Sequence, residues 1–234
     1  VNRFILNRTG WVQVGSAVLL VIIAVIALVT TDGEPMLQRW VGFMFLGLLA
    51  AYLYVTYLWA KQGTDLSVEE EVSEHELMSL GKSWTLVIGG LVMVIIGARI
   101  LVPSASEIAI RFGVPDDVIA ATMVAFGTSL PELMTAIAAI RKGHPEITVG
   151  NIVGADVLNV LFVIGAAAAA VPLAIPANFY YFHFPAMLII LFSFRVFISM
   201  NREGVFHRWQ GAWLLGVYLT YVVLQYALNI GAAH

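Results

Sequence analysis

The feature that most constrains this chain is a series of hydrophobic stretches, each close to or above the roughly 20 residues that an α-helix needs to cross about 30 Å of hydrocarbon. Since 60% of the residues are apolar and only 12% are charged, a soluble globule of this size is excluded. Seven transmembrane helices are predicted, named spans A to G: 11–30, 36–60, 83–102, 117–140, 147–171, 179–200 and 210–230.

Positive charges divide unequally between the two sides of the predicted membrane. If the spans alternate in direction, one side carries eight Lys and Arg residues and the other carries only Arg39 and Arg111. Short cytoplasmic loops carry the Lys and Arg excess, so the first side is predicted to be cytoplasmic and the C-terminus, residues 231–234, external. The cytoplasmic set is Arg3, Arg8, Lys61, Lys82, Arg141, Lys142, Arg202 and Arg208.

The longest connection, residues 62–82, is acidic and has no sustained apolar period. It also lacks the glycine and alternating carboxylates of an EF-hand calcium loop. We therefore predict a solvated cytoplasmic linker rather than a regulatory calcium site.

An internal repeat relates span B to span G. A shift of 169 residues, which aligns Arg39 with Arg208, gives seven identities over nineteen positions, where apolar composition alone would give about one or two. Spans A and B then correspond to F and G, and the counterparts of C, D and E are expected upstream of Val1. Two tandem five-helix copies insert in opposite orientations, so a ten-span parent protein is expected. The identities are Arg39/Arg208, Trp40/Trp209, Gly42/Gly211, Leu46/Leu215, Gly47/Gly216, Tyr52/Tyr221 and Tyr57/Tyr226.

Only two of the fifteen acidic residues, Glu132 and Asp156, fall well inside predicted spans. A carboxylate at the centre of a membrane helix costs roughly 2.5 to 3.5 kcal/mol on insertion scales, so it normally faces a cavity or a partner. Thr128 and Ser129 lie four and three residues before Glu132 and share its helix face. The alternative is that these hydroxyls bond their own backbone while Glu132 pairs with an Arg.

Pro131 predicts a break in span D next to this carboxylate. The proline has no N–H, and its ring interferes with the carbonyl of Gly127. A broken helix at mid-membrane offers carboxylate, hydroxyl and carbonyl oxygens, which are the ligands of hard cations such as Ca2+ and Na+.

Span E carries a second polar face. Asn151, Ala155 and Asn159 are spaced by four residues, while Asp156 lies about 140° around the helix from Asn151 and about 60° from Asn159. Asn151 either binds an ion or makes an interhelical hydrogen bond, and Asn159 has the same two readings. Asp156 could bind an ion, carry a proton or support packing.

Other residues in the spans are predicted to be structural. Gly150 and Gly154 would let the backbone of span D approach closely. Arg99 and Arg195 lie near span ends, where their side chains can extend to the interface, and His183 belongs to an interfacial aromatic belt.

Two motifs carry a resemblance to a known family. AFGTSLPEL at 125–133 and GNIVGADVLN at 150–159 resemble the second alpha repeat of the calcium/cation antiporter superfamily, and are most similar to prokaryotic sodium/calcium exchangers. The alpha-repeat region spans residues 122–165. The resemblance implies an all-α, ten-helix, five-plus-five inverted-repeat exchanger of which spans A to G are helices four to ten. Residues 1–61 would end the first repeat, 62–82 would be the linker, and 83–234 would form the second repeat.

The same resemblance implies roles for particular residues. Glu132 would be a ligand of Ca2+ and Na+, Thr128 and Ala125 would offer backbone carbonyls, Ser129 a sodium-site hydroxyl and Asn159 a central ligand. A metal ion would thus be held by Glu132, Thr128 and Asn159, with Asn151 and Asp156 as further cation-binding candidates.

Two positions depart from the family pattern. Ala155 replaces a serine that many members use at a sodium site, which puts the coupling ion in question. Asn159 stands where potassium-dependent members have Asp, which disfavours potassium transport. Glu132 and one upstream Glu would carry two negative charges, enough to balance one Ca2+ or two Na+.

The leading hypothesis is a secondary antiporter, not an enzyme, that exchanges Ca2+ for Na+ by alternating access in a prokaryotic plasma or inner membrane. No cofactor and no nucleic-acid partner are expected. The expected partners are membrane lipid and the N-terminal half of the same protein, and the oligomeric state is open. The alternatives are an H+/Ca2+ exchanger and, from another class, a channel or structural membrane subunit.

Overall fold

The computed structural model describes residues 3–31, 33–63, 80–114, 119, 122–123, 125–201 and 206–228. Within them the protein is almost entirely helical, as predicted for an all-α membrane protein. Five helical stretches are long and apolar enough to cross a bilayer, and they correspond to spans A, B, C, E and F. These stretches are Arg8–Thr30, Arg39–Trp59, Gly81–Arg111, Ile147–Ala170 and Phe179–Met200.

The named elements include two π-helical segments and one two-residue strand pair. In the first half of the chain they are α1 (Arg3–Thr30), β1 (Met36–Leu37), α2 (Arg39–Gly63) and α3 (Leu80–Arg111). In the second half they are α4 (Ala125–Thr128), α5 (Leu130–Arg141), α6 (Pro145–Leu158), π1 (Asn159–Ile164), α7 (Gly165–Ala170), β2 (Leu173–Ala174), π2 (Phe179–His183), α8 (Phe184–Met200) and α9 (Arg208–Ala227).

Two predicted boundaries are wrong. Span B does not start at Met36, because residues 36–37 form β1, which pairs antiparallel with β2, and α2 begins at Arg39. Span C does not end at Val102, because α3 continues through Pro103 to Arg111 over 32 residues, about 48 Å at 1.5 Å per residue. Within a membrane helix, neighbouring groups compensate for the N–H that proline lacks.

The seven predicted spans are not all confirmed. Span D is interrupted, and its described part consists of the short helices α4 and α5. Span G forms α9, but its glutamines and aromatic residues keep it below the hydropathy of the other five. Residues 64–79 of the linker and the C-terminus at 231–234 lie outside the described residues.

The core forms where α2 crosses the end of the long helical stretch of span E. α2 packs on π1 and α7, and Phe45 and Val157 are fully buried there. Gly42 permits this contact, because a Cβ atom at residue 42 would lie 2.2 Å from the backbone nitrogen of Ala169. Arg39 adds a hydrogen bond of 2.9 Å from its Nε to the Ala169 carbonyl. Span E is therefore fixed to α2 at its C-terminal end.

Helix α1 lies between α6 and α8. Arg195 of α8 was predicted to extend to the interface, but its side chain is buried against α1, with the guanidinium carbon 4.7 Å from the ring centroid of Trp11. At the other end of the same stretch, Nδ1 of His183 lies 2.9 Å from the hydroxyl of Tyr221, which joins π2 to α9. α8 is thus held by α1 on one side and by α9 on the other.

Helix α3 is the most peripheral of the described helices. It packs against α4 and α5, and most of its apolar side chains are exposed, including Trp84, Met93 and Ile100. A bilayer or further helices would cover such side chains.

Candidate functional site

The candidate site begins at a break in the helix that carries Glu132. α4 ends at Thr128, Ser129 forms a turn, and α5 starts at Leu130 with Pro131 in its first turn. Proline is tolerated there because first-turn N–H groups have no partner within the helix. The predicted break at mid-span is therefore present, and it leaves the amino end of α5 at the site.

Glu132 lies in the first turn of α5, where the helix dipole favours a negative charge. Its side chain is half-buried, and the buried oxygen Oε2 has no hydrogen-bond partner among the described residues. A buried carboxylate oxygen without a donor is costly unless a cation or a proton balances it. Glu132 is thus the side chain whose surroundings most clearly require a ligand.

The backbone before Glu132 is packed tightly against α3. A Cβ atom at Gly127 would lie 1.9 Å from Cγ2 of Val102. Glycine at residue 127 therefore brings α4 close to α3, which fixes the height of the break relative to that helix.

The oxygens of α4 are partly engaged within the helix. The Thr128 hydroxyl donates to the Ala125 carbonyl at 2.9 Å, and the N–H of Ser129 donates to the same carbonyl at 3.2 Å. A cation binding to the Ala125 carbonyl would therefore displace one of these donors. The exposed Ser129 side chain makes no capping hydrogen bond to α5, so its hydroxyl remains available to a ligand.

Asn151 brings α6 next to the broken helix. Its Nδ2 donates to the backbone carbonyl of Glu132 at 3.3 Å, and Thr148 makes a second contact, from its hydroxyl to the Ala136 carbonyl at 3.4 Å. The amide of Asn151 therefore makes an interhelical hydrogen bond, which was one of the two roles predicted for this residue. No hydrogen bond from a described residue engages its Oδ1 atom.

The predicted close approach at Gly150 and Gly154 is wrong for the described residues. Nothing lies within 4 Å of a Cβ atom built at either glycine. The hydrogen bonds between α5 and α6 come instead from the side chains of Thr148 and Asn151.

Asp156 lies on another face of α6 and contacts α1. Its Oδ2 accepts a hydrogen bond from Nε2 of Gln13, whose side chain is 1% exposed. The structure therefore places Asn151 beside Glu132 and directs Asp156 to α1.

Gln13 is a polar site residue that the sequence reading missed. A signal was available, because Thr9, Gln13 and Ser16 recur at i, i+4 and i+7 in an otherwise apolar helix. All three side chains are buried. This spacing indicates a polar stripe facing a neighbouring helix.

Asn159 is the first residue of π1, and its side chain is exposed in this chain. π-Helical turns inside α-helices are frequent at functional sites. The wider turn separates Asn159 from the regular helix that carries Asn151 and Asp156. Its predicted role as a central ligand stays a prediction.

Chemically, this arrangement brings together oxygen groups of the kind that hard cations bind. It offers the Glu132 carboxylate, the Ser129 hydroxyl, the Asn151 amide oxygen and backbone carbonyls at the break. No cluster of three or more His, Cys, Asp or Glu residues occurs among the described residues. A Ca2+ ion takes six to eight oxygen ligands, so these groups alone would not complete a site for it.

Comparisons with known proteins match this arrangement to transporters. A family model described as sodium/calcium exchanger protein covers residues 82–227. Sodium/calcium exchanger MaX1 of Methanosarcina acetivorans is 34% identical over 131 residues, which are 56% of this chain and 37% of that protein. Inner membrane protein YrbG of Escherichia coli is 30% identical over 219 residues, which are 90% of this chain and 66% of that protein.

A solved structure gives the same result. The sodium-calcium exchanger NCX_Mj soaked with 10 mM Na+ and no Ca2+ superposes with a TM-score of 0.68 at 26% identity, covering 93% of this chain and 66% of that chain. The chain therefore spans between about a third and two thirds of the length of the proteins it matches.

Proposed function

This chain belongs to the sodium/calcium exchanger protein family, and we propose that it forms part of a secondary antiporter that exchanges Ca2+ for Na+ by alternating access. The family consists of transporters rather than enzymes, and its match to the chain confirms the resemblance seen in the two motifs. Ca2+ and Na+ are therefore treated as transported substrates and not as resident cofactors.

The observation that supports this function is the buried, unpartnered Oε2 of Glu132 at the amino end of α5. Exchange follows when two kinds of cation compete for the same oxygens. With a second carboxylate opposite Glu132, the site carries two negative charges, which one Ca2+ or two Na+ balance. Thr128, Ser129, Asn151 and Asn159 would supply neutral oxygens, and the carbonyl of Ala125 would join them once released by its donors.

The remaining ligands would come from a matching five-helix repeat in the same protein. α2 and α9 begin at the repeat-related residues Arg39 and Arg208. Gly42 of α2 is in tight contact with α7, whereas a Cβ atom at Gly211 would meet nothing within 4 Å. An equivalent of α7 on α9 would give Gly211 the contact that Gly42 has, which supports a ten-helix inverted-repeat exchanger.

We place this exchanger in a prokaryotic plasma or inner membrane, in contact with lipid along α3 and the other exposed helices. The 62–82 linker would be cytoplasmic and the C-terminus external, since the Lys and Arg residues concentrate on one side.

The experiment that tests the function is uptake of 45Ca2+ driven by a Na+ gradient into liposomes containing the intact exchanger. Glu132→Gln removes the charge but keeps the shape of the side chain. Loss of a group that only supports a metal ligand costs about 10- to 100-fold, so we expect loss of the ligand charge to lower uptake by about 100-fold or more. Glu107→Gln is the matched control, because Glu107 is exposed and pairs with Arg111 at 3.1 Å on α3. Coupled uptake that persists in the Glu132 variant would mean that Glu132 only supports packing, and Ca2+ uptake that does not depend on the Na+ gradient would favour a channel.

H+/Ca2+ exchange is the second candidate, because Ala155 offers no hydroxyl for a sodium site. The same liposomes distinguish the two functions: Ca2+ uptake driven by a pH gradient in the absence of Na+ supports H+ coupling. Ca2+ uptake that is driven by a Na+ gradient but not by a pH gradient rejects H+ coupling.

A further inference from the structure

The contact between Gln13 and Asp156 leaves one polar atom without a partner. Nε2 of Gln13 donates to Oδ2 of Asp156, but Oε1 of the same amide is buried and has no hydrogen-bond partner among the described residues. The Gln13 side chain is 1% exposed. A buried, unsatisfied amide oxygen is costly, and it points to a ligand at this position.

Two further polar side chains of α1 are buried within one turn of Gln13. Ser16 is buried one turn further along α1, and its hydroxyl donates to the Gln13 carbonyl at 2.9 Å. Thr9 is buried on the same face one turn earlier. Between these turns and α6, the Asp156 carboxylate is half-buried. Polar groups within a hydrophobic span normally face one another or a site, as they do here.

We propose that Oε1 of Gln13 and the carboxylate of Asp156 bind a monovalent cation, Na+, between α1 and α6. The inference rests on the proposed exchange function, which brings Na+ into the membrane interior. It adds a second site, on a face of α6 other than the one that contacts Glu132. The single carboxylate balances one positive charge. A divalent ion would keep an excess charge in a medium of low dielectric, which is unfavourable.

The site explains both groups together. The carboxylate is costly to bury alone and the amide oxygen is costly to leave unpaired, and one Na+ ion compensates for both. Carboxylate and amide oxygens are hard ligands of the kind that Na+ accepts.

The test measures the Na+ dependence of Ca2+ exchange in liposomes with the intact protein. Gln13→Met keeps the length of the side chain but removes its oxygen, and Asp156→Asn removes the charge. Each variant should raise the Na+ concentration for half-maximal exchange by about fivefold or more, as expected from losing one ligand oxygen. The half-saturating Ca2+ concentration at low Na+ should change less than about twofold, since the Glu132 site is intact.

The matched control is Gln225→Met on α9. Gln225 is 2% exposed and also has a buried Oε1 without a hydrogen-bond partner among the described residues, but none of their carboxylates bonds to it. Its Na+ dependence should equal that of the unmodified protein. A loss of Na+ response as large in Gln225→Met as in Gln13→Met would indicate a packing role and overturn the proposal.

A binding measurement without transport covers variants that lose exchange entirely. The thermal stability of the purified protein in detergent is compared in NaCl and in choline chloride, and a smaller Na+ stabilisation in Gln13→Met than in Gln225→Met supports the site. The proposal is overturned if Na+ stabilises Gln13→Met and Gln225→Met equally and the Na+ dependence of exchange is unchanged. It is also overturned if only the pH dependence of exchange changes. If Glu132→Gln still abolishes exchange in that case, the proposed function stands while this inference fails.

Discussion

At the residue scale, glycine sets how closely the helices approach at two positions. Gly42 allows the backbone of α2 to touch the backbone of α7, and Gly127 allows the break in span D to sit against Val102 of α3. Close approach at small residues is a main source of helix association where lipid replaces water, because apolar side chains gain little by leaving lipid.

We predict that Gly42→Ala destabilises the protein. The new Cβ atom would lie 2.2 Å from the Ala169 nitrogen and 2.5 Å from the Gly165 carbonyl oxygen. Since backbone atoms cannot move aside as a side-chain tip can, the cost should be about 1 to 3 kcal/mol, as for other overpacked cores. The temperature of half-unfolding in detergent measures the effect. Gly47→Ala on the same helix meets open space and should leave that temperature unchanged or raise it.

The sequence identified one carboxylate of the site more securely than its amide partner. Glu132 is recognisable because a charge in an apolar span is costly whichever neighbouring helix it faces. Gln13 is neutral, and its importance depends on which helix faces it, a relation between residues 143 positions apart. The polar spacing on α1 could have indicated a stripe, but it could not have identified Asp156 as its partner.

At the element scale, Arg39 joins the start of α2 to the end of α7. Its Nε donates to the Ala169 carbonyl at 2.9 Å, and the last carbonyls of a helix have no partner within it. A positive charge there also favours the carboxyl end of the helix dipole.

We expect Arg39→Met to lower thermal stability by the equivalent of about 0.5 to 1.5 kcal/mol, the net value of a typical hydrogen bond. Arg39→Lys should recover part of this loss, because it keeps the charge but not the Nε geometry. Lys61→Met at the far end of α2 is the control, since Lys61 is exposed. An equal effect of Arg39→Met and Lys61→Met would contradict the role of Arg39.

Sequence patterns located the elements better than their ends. Pro131 correctly predicted a break, whereas Pro103 does not interrupt α3 and the helix runs nine residues past the predicted end at Val102. Both prolines lack an N–H, so the difference depends on whether neighbouring groups support the helix beyond them. Beyond Pro103, the Ser104 hydroxyl donates to the Ile100 carbonyl at 2.8 Å. The π-helical turns were not predicted, because apolar composition does not distinguish them from α-helix.

At the scale of the whole molecule, the orientation in the membrane remains a prediction from charge. The chain has no cysteine, so single cysteines can be introduced at exposed positions for labelling. Lys142 lies in the turn between α5 and α6, and Glu34 lies between α1 and β1; both are exposed.

In right-side-out vesicles, an impermeant maleimide should label Glu34→Cys directly and Lys142→Cys only after permeabilisation, since the Lys and Arg excess marks the cytoplasmic side. The opposite pattern would invert the proposed topology. Labelling of both variants in permeabilised vesicles shows that both sites are reactive.

At this scale the helical class and the family were predictable, because apolar length and the two motifs are local properties. The packing of α2 on α7 was not predictable. The repeat shows that Gly42 matches Gly211 but does not show which residue Gly42 contacts. The site shares this limit: its motif residues were found in the sequence, while the side chains facing them depended on the fold.

The long separation between α1–α2 and their packing partners has a consequence for biosynthesis. Arg39 and Ala169 are 130 residues apart in sequence, and at about 5 to 20 residues per second their synthesis is separated by roughly 6 to 26 s. During that interval the nascent α1 lies in the bilayer with Gln13 lacking its partner Asp156. Its partner helix α6 is synthesised later, so the polar stripe of α1 has to wait for its contact until the second half of the chain is inserted.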